Sequence, residues 1–133
     1  MSALPDAAAW RAAAAYHAEL FAALDSGARI GLVAREAPAA MLLWEVGSAG
    51  VAVRDVQFAG FSASGADILL AADAEALAKI AAAADAQLFE VLRAGIRSGA
   101  VVCYILRRRC DLEARGFEEL LEALGFAFMG ACR

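Results

Sequence analysis

The residues best placed to do chemistry lie in the stretch VVCYILRRRCDL, residues 101–112. An apolar run ends there in three arginines, a cysteine and Asp111, which we expect to cap the helix that follows. Free backbone N–H groups at a helix start and guanidinium groups both bind anions. The sequence therefore predicts a site for a small anionic ligand at the strand-to-helix turn of residues 107–111. Its expected ligand-binding residues are Arg107, Arg108, Arg109 and, within the helix, Arg115.

Two cysteines in the same stretch are candidate nucleophiles, and we expect them to differ. Cys110 follows the arginines at the predicted helix start, where positive potential favours thiolate over thiol. Cys103 lies inside the apolar run, where burial raises the pKa of a thiol. A disulfide between them is not expected, because the intervening strand would separate them by roughly 20 Å. Cys110 and Cys103 are the predicted catalytic residues if the protein uses a thiol.

Other polar residues give weaker patterns. The loop GFSASG, residues 60–65, has the glycine spacing of a phosphate-binding loop, but Ala66 and Asp67 stand where Lys and Ser or Thr are required. His17 is the single histidine and falls on the apolar face of the first helix, so we expect a core or interface residue and not a general base. Three irregularly spaced cysteines and one histidine do not match a zinc site. No metal and no cofactor are predicted.

Composition limits the class of partner. A net charge of −4 over 133 residues disfavours binding to a phosphate backbone, so no nucleic-acid partner is predicted. No apolar run approaches the ~20 residues that a membrane span needs. The N-terminal stretch lacks the basic start and leucine-rich centre of an export signal. We therefore predict a cytoplasmic protein with no membrane association.

Helical and apolar segments alternate along the chain, which predicts one domain over residues 1–133. The alternation is typical of an α/β layered fold with a mostly parallel sheet, here with an extra N-terminal helix. The predicted helices span residues 5–25, 74–95 with a break at Asp85, and 111–124 with a break near Gly116, besides a short one at 38–46 for which a strand is the alternative. The predicted strands span residues 28–34, 51–58, 66–72, 100–106 and 126–131.

Two parts of this fold prediction matter most for the site. The run AVVCYIL, residues 100–106, is continuously apolar, which indicates a strand that is covered on both faces. Residues 36–65 leave an alternative open, because strands that meet there as hairpins would give an α+β fold instead.

The C-terminal third resembles the DsrE-like sulfur-relay family in two stretches, SGAVVCYILRRRC and ARGFEELLEALGFAFMG. The resemblance implies a small α/β protein that assembles into oligomers. It also implies a persulfide carried on a cysteine that follows a strand. Both Cys103 and Cys110 are compatible with that position.

Two functions follow as predictions. The first is a binding protein, either a homo-oligomer or an accessory subunit, whose partner is another protein or a small anionic ligand at residues 107–111. The alternative is a thiol-dependent sulfur carrier that uses Cys110 or Cys103. The apolar face of the first helix, with Trp10 and Phe21, is the expected subunit interface. The sequence matches no strong catalytic motif and assigns no reaction.

Overall fold

The computed structural model of the protein describes residues 4–126, which form a five-stranded sheet and helices. The strands are β1 (Arg29–Ala34), β2 (Ala40–Gly47), β3 (Gly50–Gln57), β4 (Ile68–Ala72) and β5 (Val101–Ile105). They lie in the order β3-β2-β1-β4-β5, so β3 and β5 form the edges. The helices are α1 (Ala7–Tyr16), α2 (Ala18–Phe21), α3 (Ala74–Ala82), α4 (Leu88–Ser98), α5 (Arg109–Ala114) and α6 (Glu118–Ala123), with a 3-10 turn at Asp85–Gln87.

The sheet is mixed and mostly antiparallel, so the predicted α/β fold with a mostly parallel sheet is wrong and the α+β alternative is correct. Among the strands of residues 4–126, only β1 and β4 pair in parallel, and the other three pairs are antiparallel. The reason lies in residues 36–65, where β2 and β3 meet in a hairpin that pairs Gly47 with Gly50. The helix predicted at 38–46 is β2. It is buried on both faces, which removes the alternating pattern of an antiparallel strand.

Strand β5 is also different from its prediction. It pairs with β4 at the edge of the sheet and is not covered on both faces. Its last two residues, Tyr104 and Ile105, are exposed. An uninterrupted apolar run therefore marked an edge strand here, and not a central one.

The helices cover one face of the sheet, called here the helical face. Trp10 of α1 stacks on Trp44 of β2 with ring centroids 4.1 Å apart, and Trp44 Nε1 donates to the Trp10 carbonyl at 2.8 Å. Phe21 lies edge-on to Trp44. Trp10 and Phe21 are both buried in this core. The face of the first helix that we expected to bind another subunit therefore packs against the protein's own sheet.

The opposite face, called here the crossover face, is covered by irregular chain. Residues 58–67 connect β3 to β4, which lie on either side of the β1–β2 pair, and Phe58 packs over the apolar side chains beneath. Gly31 lies under this segment. A Cβ at Gly31 would be 2.7 Å from Leu69 Cδ1 and 2.8 Å from Met41 Sδ, so the glycine lets these two side chains meet closely over β1.

The helix predictions hold better than the strand pairing. The N-terminal helix is interrupted at His17, the second breaks before Asp85 as expected, and the last is interrupted at Gly116. Within residues 4–126 no helix has both the length and the apolar content needed to cross a bilayer. The cytoplasmic location stays a prediction. The predicted final strand, 126–131, lies outside the described residues except for Phe126.

Candidate functional site

Asp67 is the centre of the candidate site. Its carboxylate precedes β4 and is only 1% exposed, and it is the one polar or charged residue that is buried among residues 4–126. Its Oδ1 accepts hydrogen bonds from Arg107 Nε at 3.1 Å and from Arg115 Nη1 at 3.4 Å. Its Oδ2 accepts the backbone N–H of Arg29 at 2.9 Å. These donors compensate for the removal of a negative charge from water.

Arg107 reaches Asp67 because the pairing of β4 and β5 continues past both strands. The backbone N–H of Leu106 donates to the carbonyl of Asp67 at 3.0 Å. This bond holds the next residue, Arg107, beside the carboxylate. The sequence places the two residues 40 positions apart, and the sheet register brings them together.

Arg115 reaches the same carboxylate from the turn between α5 and α6. Its carbonyl accepts the backbone N–H of Asp25 at 2.9 Å, which holds the turn against the end of α2 and its following residues. Gly116 permits this approach, because its φ is +85° and a Cβ would lie 1.9 Å from the carbonyl oxygen of Ala23. Gly116 therefore helps to hold the preceding residue, Arg115, where its side chain can reach Asp67.

A second carboxylate holds another pair of arginines on the crossover face. Arg29 Nε donates to Glu45 Oε2 at 2.7 Å, and Arg54 Nη1 lies 3.7 Å from Glu45 Oε1. We call Asp67, Arg107 and Arg115 the Asp67 group, and we call Glu45, Arg29 and Arg54 the Glu45 group. The two groups meet at Arg29, whose backbone binds Asp67 and whose side chain binds Glu45.

The two groups differ in the exposure of the carboxylate. The side chain of Asp67 is 2% exposed, whereas that of Glu45 is 23% exposed. Arg107 and Arg115 are each 43% exposed. An anion that approaches the Asp67 group from solvent therefore meets two guanidiniums before it meets the carboxylate. An anion that approaches the Glu45 group meets the exposed part of the Glu45 carboxylate together with the two guanidiniums.

The two arginines of the Asp67 group have N–H donors that Asp67 does not use. Each guanidinium carries five N–H donors. Among residues 4–126, the side chains of Arg107 and Arg115 each donate one described hydrogen bond, to Asp67. Two positive groups beside one buried carboxylate leave a local excess of one positive charge, in a chain whose net charge is −4. The arrangement can bind an oxyanion by charge and by directed hydrogen bonds.

The structure separates the site residues predicted at the 107–111 turn. Arg107 and Arg115 come together at Asp67, but Arg108 is 88% exposed and lies 3.4 Å from Asp111 instead. Asp111 does not cap the helix: α5 begins at Arg109, and Asp111 is in its first turn. Arg109 and Cys110 are the first two residues of α5. This helix has six residues, and the anion site does not depend on its N-terminus.

The carboxylates Asp67 and Glu45 were not identified as site residues from the sequence, nor were the arginines Arg29 and Arg54. In the sequence, Asp67 departs from the phosphate-loop pattern and lies near the end of a predicted strand, but nothing there links it to an arginine. No local spacing connects Asp67 with Arg107, or Arg29 with Glu45. The alternation of VAVRDVQF did place Arg54 on one face of a strand, which is the only local signal for these residues.

The two cysteines of residues 101–112 lie in different environments. Cys103 has the raised thiol pKa that we expected, whereas the disulfide bond of Cys110 leaves no thiol to form the expected thiolate. Cys103 is half-buried on the helical face, and burial raises the pKa of its thiol from 9.0 to about 12. It is therefore protonated at neutral pH. Cys110 is exposed in the first turn of α5, and it is disulfide-bonded.

His17 has a structural hydrogen bond. Its Nε2 donates to the carbonyl of Asp85 at 2.6 Å, and its ring packs edge-on against Phe89. This contact ties the end of α1 to the 3-10 turn before α4, and it agrees with the expectation of a satisfied core residue. No group of three or more His, Cys, Asp or Glu side chains within residues 4–126 is arranged to hold a metal ion.

A cleft on the helical side has fewer polar groups that could bind a ligand than the Asp67 group has. A cavity of about 390 Å³ lies between α3 and α4, with Ile80 and Val101 in its lining. The charged side chains in its wall, Glu75 and Lys79, lie 3.8 Å apart and pair with each other. It is mainly an apolar depression without a converging set of polar groups.

The chain matches no family model and no curated protein. A solved structure described as "UbiJ-SCP2 Ubiquinone synthesis protein" is similar to it over 78% of this chain and 74% of that chain, with 20% sequence identity and a TM-score of 0.44. A likeness this distant carries no argument about function. The predicted membership of the DsrE-like family is wrong, because no family model matches and the sheet is not the mostly parallel one that we expected with it. The alternative function as a sulfur carrier, which depended on that resemblance, is therefore not supported.

Proposed function

We propose that this protein binds a small anionic ligand at the Asp67 group. The observation that carries the proposal is the pair of half-exposed guanidiniums, Arg107 and Arg115, that bind one buried carboxylate oxygen. Because both donors lie within 3.4 Å of the same atom, the two positive groups are adjacent. A carboxylate, phosphate or sulfate group is the chemistry that such a pair recognises.

The buried carboxylate prepares the arginines for binding. A free arginine side chain loses roughly 2 kcal/mol of rotamer entropy when it is fixed. Asp67 fixes Arg107 and Arg115 when the protein folds. The two side chains therefore lose less rotamer entropy when a ligand binds. The remaining N–H donors of both guanidiniums stay accessible to solvent, since each side chain is 43% exposed.

Of the four predicted ligand-binding residues, Arg107 and Arg115 belong to the proposed site. Its centre is Asp67 and not the 107–111 turn. Arg108 extends into solvent and pairs with Asp111, so it contributes only long-range charge. The ligand-binding pair comes from the end of β5 and from the α5–α6 turn. Asp67 is the residue that joins them.

Thermal unfolding in the presence of simple anions tests the proposal. Phosphate, sulfate and acetate would each be added at constant ionic strength to wild type and to the Arg115→Gln and Arg54→Gln variants. A ligand that binds only the native state stabilises it by roughly 2.7 kcal/mol at one hundred times its dissociation constant. We expect at least one anion to stabilise wild type and Arg54→Gln equally, and to have a much smaller effect on Arg115→Gln.

Arg54 is the matched control because the same charge is removed from the Glu45 group. Equal loss of the response in both variants would mean that the anions act on overall charge and not at Asp67. Absence of any stabilisation in wild type would contradict the proposal outright.

A further inference from the structure

The two edges of the sheet differ in their charged residues. The β3 edge has the sequence GVAVRDVQ and carries Arg54 and Asp55 near its middle. The β5 edge has the sequence VVCYI and carries no charged residue. Edge strands expose backbone N–H and C=O groups that can pair with another chain, and charges, prolines or bulges normally prevent this. Within its five residues, β5 has none of the charges or prolines that protect such an edge.

The β5 edge also exposes apolar side chains on both faces of the sheet. Tyr104 is 37% exposed and Ile105 is 45% exposed. Adjacent residues of a strand point to opposite faces, so these two lie on different sides. Tyr104 lies on the crossover face with its ring 4.6 Å from that of Phe61, and Ile105 is paired with Ile68 of β4. A strand that joined this edge would cover apolar surface on both sides.

We propose that the β5 edge binds the β5 edge of a second copy of this chain, antiparallel and about a two-fold axis. The result is a homodimer with one continuous ten-stranded sheet, formed from two five-stranded sheets. With the axis at Cys103, Val101 pairs with Ile105 of the partner subunit, and Val102 pairs with Tyr104 of the partner subunit. Pairs of β-branched and aromatic residues are among the stabilising cross-strand combinations.

Charge favours a second copy as the occupant of this edge. At the two-fold axis a residue faces its own equivalent, so an uncharged residue such as Cys103 is suited to that position. Each chain carries a net charge of −4, so two copies repel each other least where the surface is uncharged. The β5 edge carries no charged residue, whereas β3 carries Arg54 and Asp55. The inference is independent of the anion site.

Light scattering on purified protein at tens of micromolar tests the dimer. We expect wild type to have twice the chain mass of 13.8 kDa. The Ile105→Lys variant should have the mass of one chain, because it places an ammonium group at the edge. The control is Tyr16→Lys, which adds the same charge at a side chain that is 60% exposed at the end of α1 and away from β5, and it should remain a dimer. Circular dichroism would show that both variants are folded.

Hydrogen exchange then distinguishes this edge from any other interface. Backbone amides of β5 should exchange more slowly in concentrated wild type than in dilute wild type, while amides of β3 should not change. A monomeric wild type overturns the proposal, as does a dimeric Ile105→Lys variant. A concentration-dependent slowing that falls on β3 or on the helices in place of β5 also overturns it.

Discussion

The Asp67 group and the Glu45 group use the same chemistry in different surroundings. Each has one carboxylate and two half-exposed arginines. Asp67 is nearly inaccessible to water, while about a quarter of the Glu45 side chain remains exposed. Burial makes Asp67 dependent on its partners, because a buried charge that loses its donors is costly. The same burial hides the negative charge from an approaching anion. The Asp67 group is therefore both the more strongly coupled to folding and the better candidate binding site.

The largest difference between the groups is expected when the arginines are removed. The double variant Arg107→Gln, Arg115→Gln leaves the Asp67 carboxylate buried without a guanidinium, which should cost about 3 kcal/mol in the free energy of unfolding. The matched double variant Arg29→Gln, Arg54→Gln leaves Glu45 able to reach water and should cost about 1 kcal/mol or less. Urea denaturation of both variants measures the difference. Equal costs would show that burial of the carboxylate does not separate the groups.

A smaller effect is expected from the glycine that positions Arg115. The Gly116→Ala variant puts a methyl group where the carbonyl of Ala23 lies and forces a non-glycine residue to a φ of +85°. We expect a loss of about 2 kcal/mol in stability, and weaker anion binding because the turn shifts with Arg115. Gly125→Ala is the control. It also has a positive φ, but its Cβ would meet only the flexible side chain of Arg93. Anion binding that survives Gly116→Ala unchanged would remove Arg115 from the site.

The smallest effect is expected when the carboxylates are neutralised one at a time. Asp67→Asn removes a buried charge together with its strong hydrogen bonds, and its two arginines can turn to solvent. We expect a cost of about 1 to 2 kcal/mol, smaller than that of removing both arginines. Glu45→Gln should cost less than about 1 kcal/mol, because the pairs it loses are partly exposed. If Asp67→Asn proved more damaging than the double arginine variant, the carboxylate would have a role beyond holding its arginines.

The sequence predicts the separate elements of this fold well and their pairing poorly. Asp73 caps α3 as expected, with its Oδ1 accepting the backbone N–H of Ala76 at 2.8 Å, because a cap depends on residues that are close in sequence. Strand pairing depends on surroundings that the sequence does not display. Leu42 and Leu43 of β2 are both buried on opposite faces, so no alternation distinguishes an antiparallel strand from a short helix.

The candidate site was predictable only where its charges are adjacent in sequence. Arg107 was predicted as a ligand-binding residue because it is one of three consecutive arginines. Of these three, Arg107 is the one that binds Asp67. Arg29 and Glu45 become neighbours through the register of β1 and β2, which pairs them directly. A register of this kind follows from the whole sheet, so no motif in the sequence could indicate it.

The most direct test of the anion site is a nuclear magnetic resonance titration of the arginine Nε–Hε signals with phosphate, in uniformly nitrogen-15-labelled protein. We expect saturable shifts of the Arg107 and Arg115 signals, with one dissociation constant for both. The Arg29 and Arg54 signals should move little, and that of Arg97, exposed in the last turn of α4, should not move. Equal shifts of all arginine signals without saturation would contradict an anion site at Asp67, as would saturable shifts confined to Arg29 and Arg54.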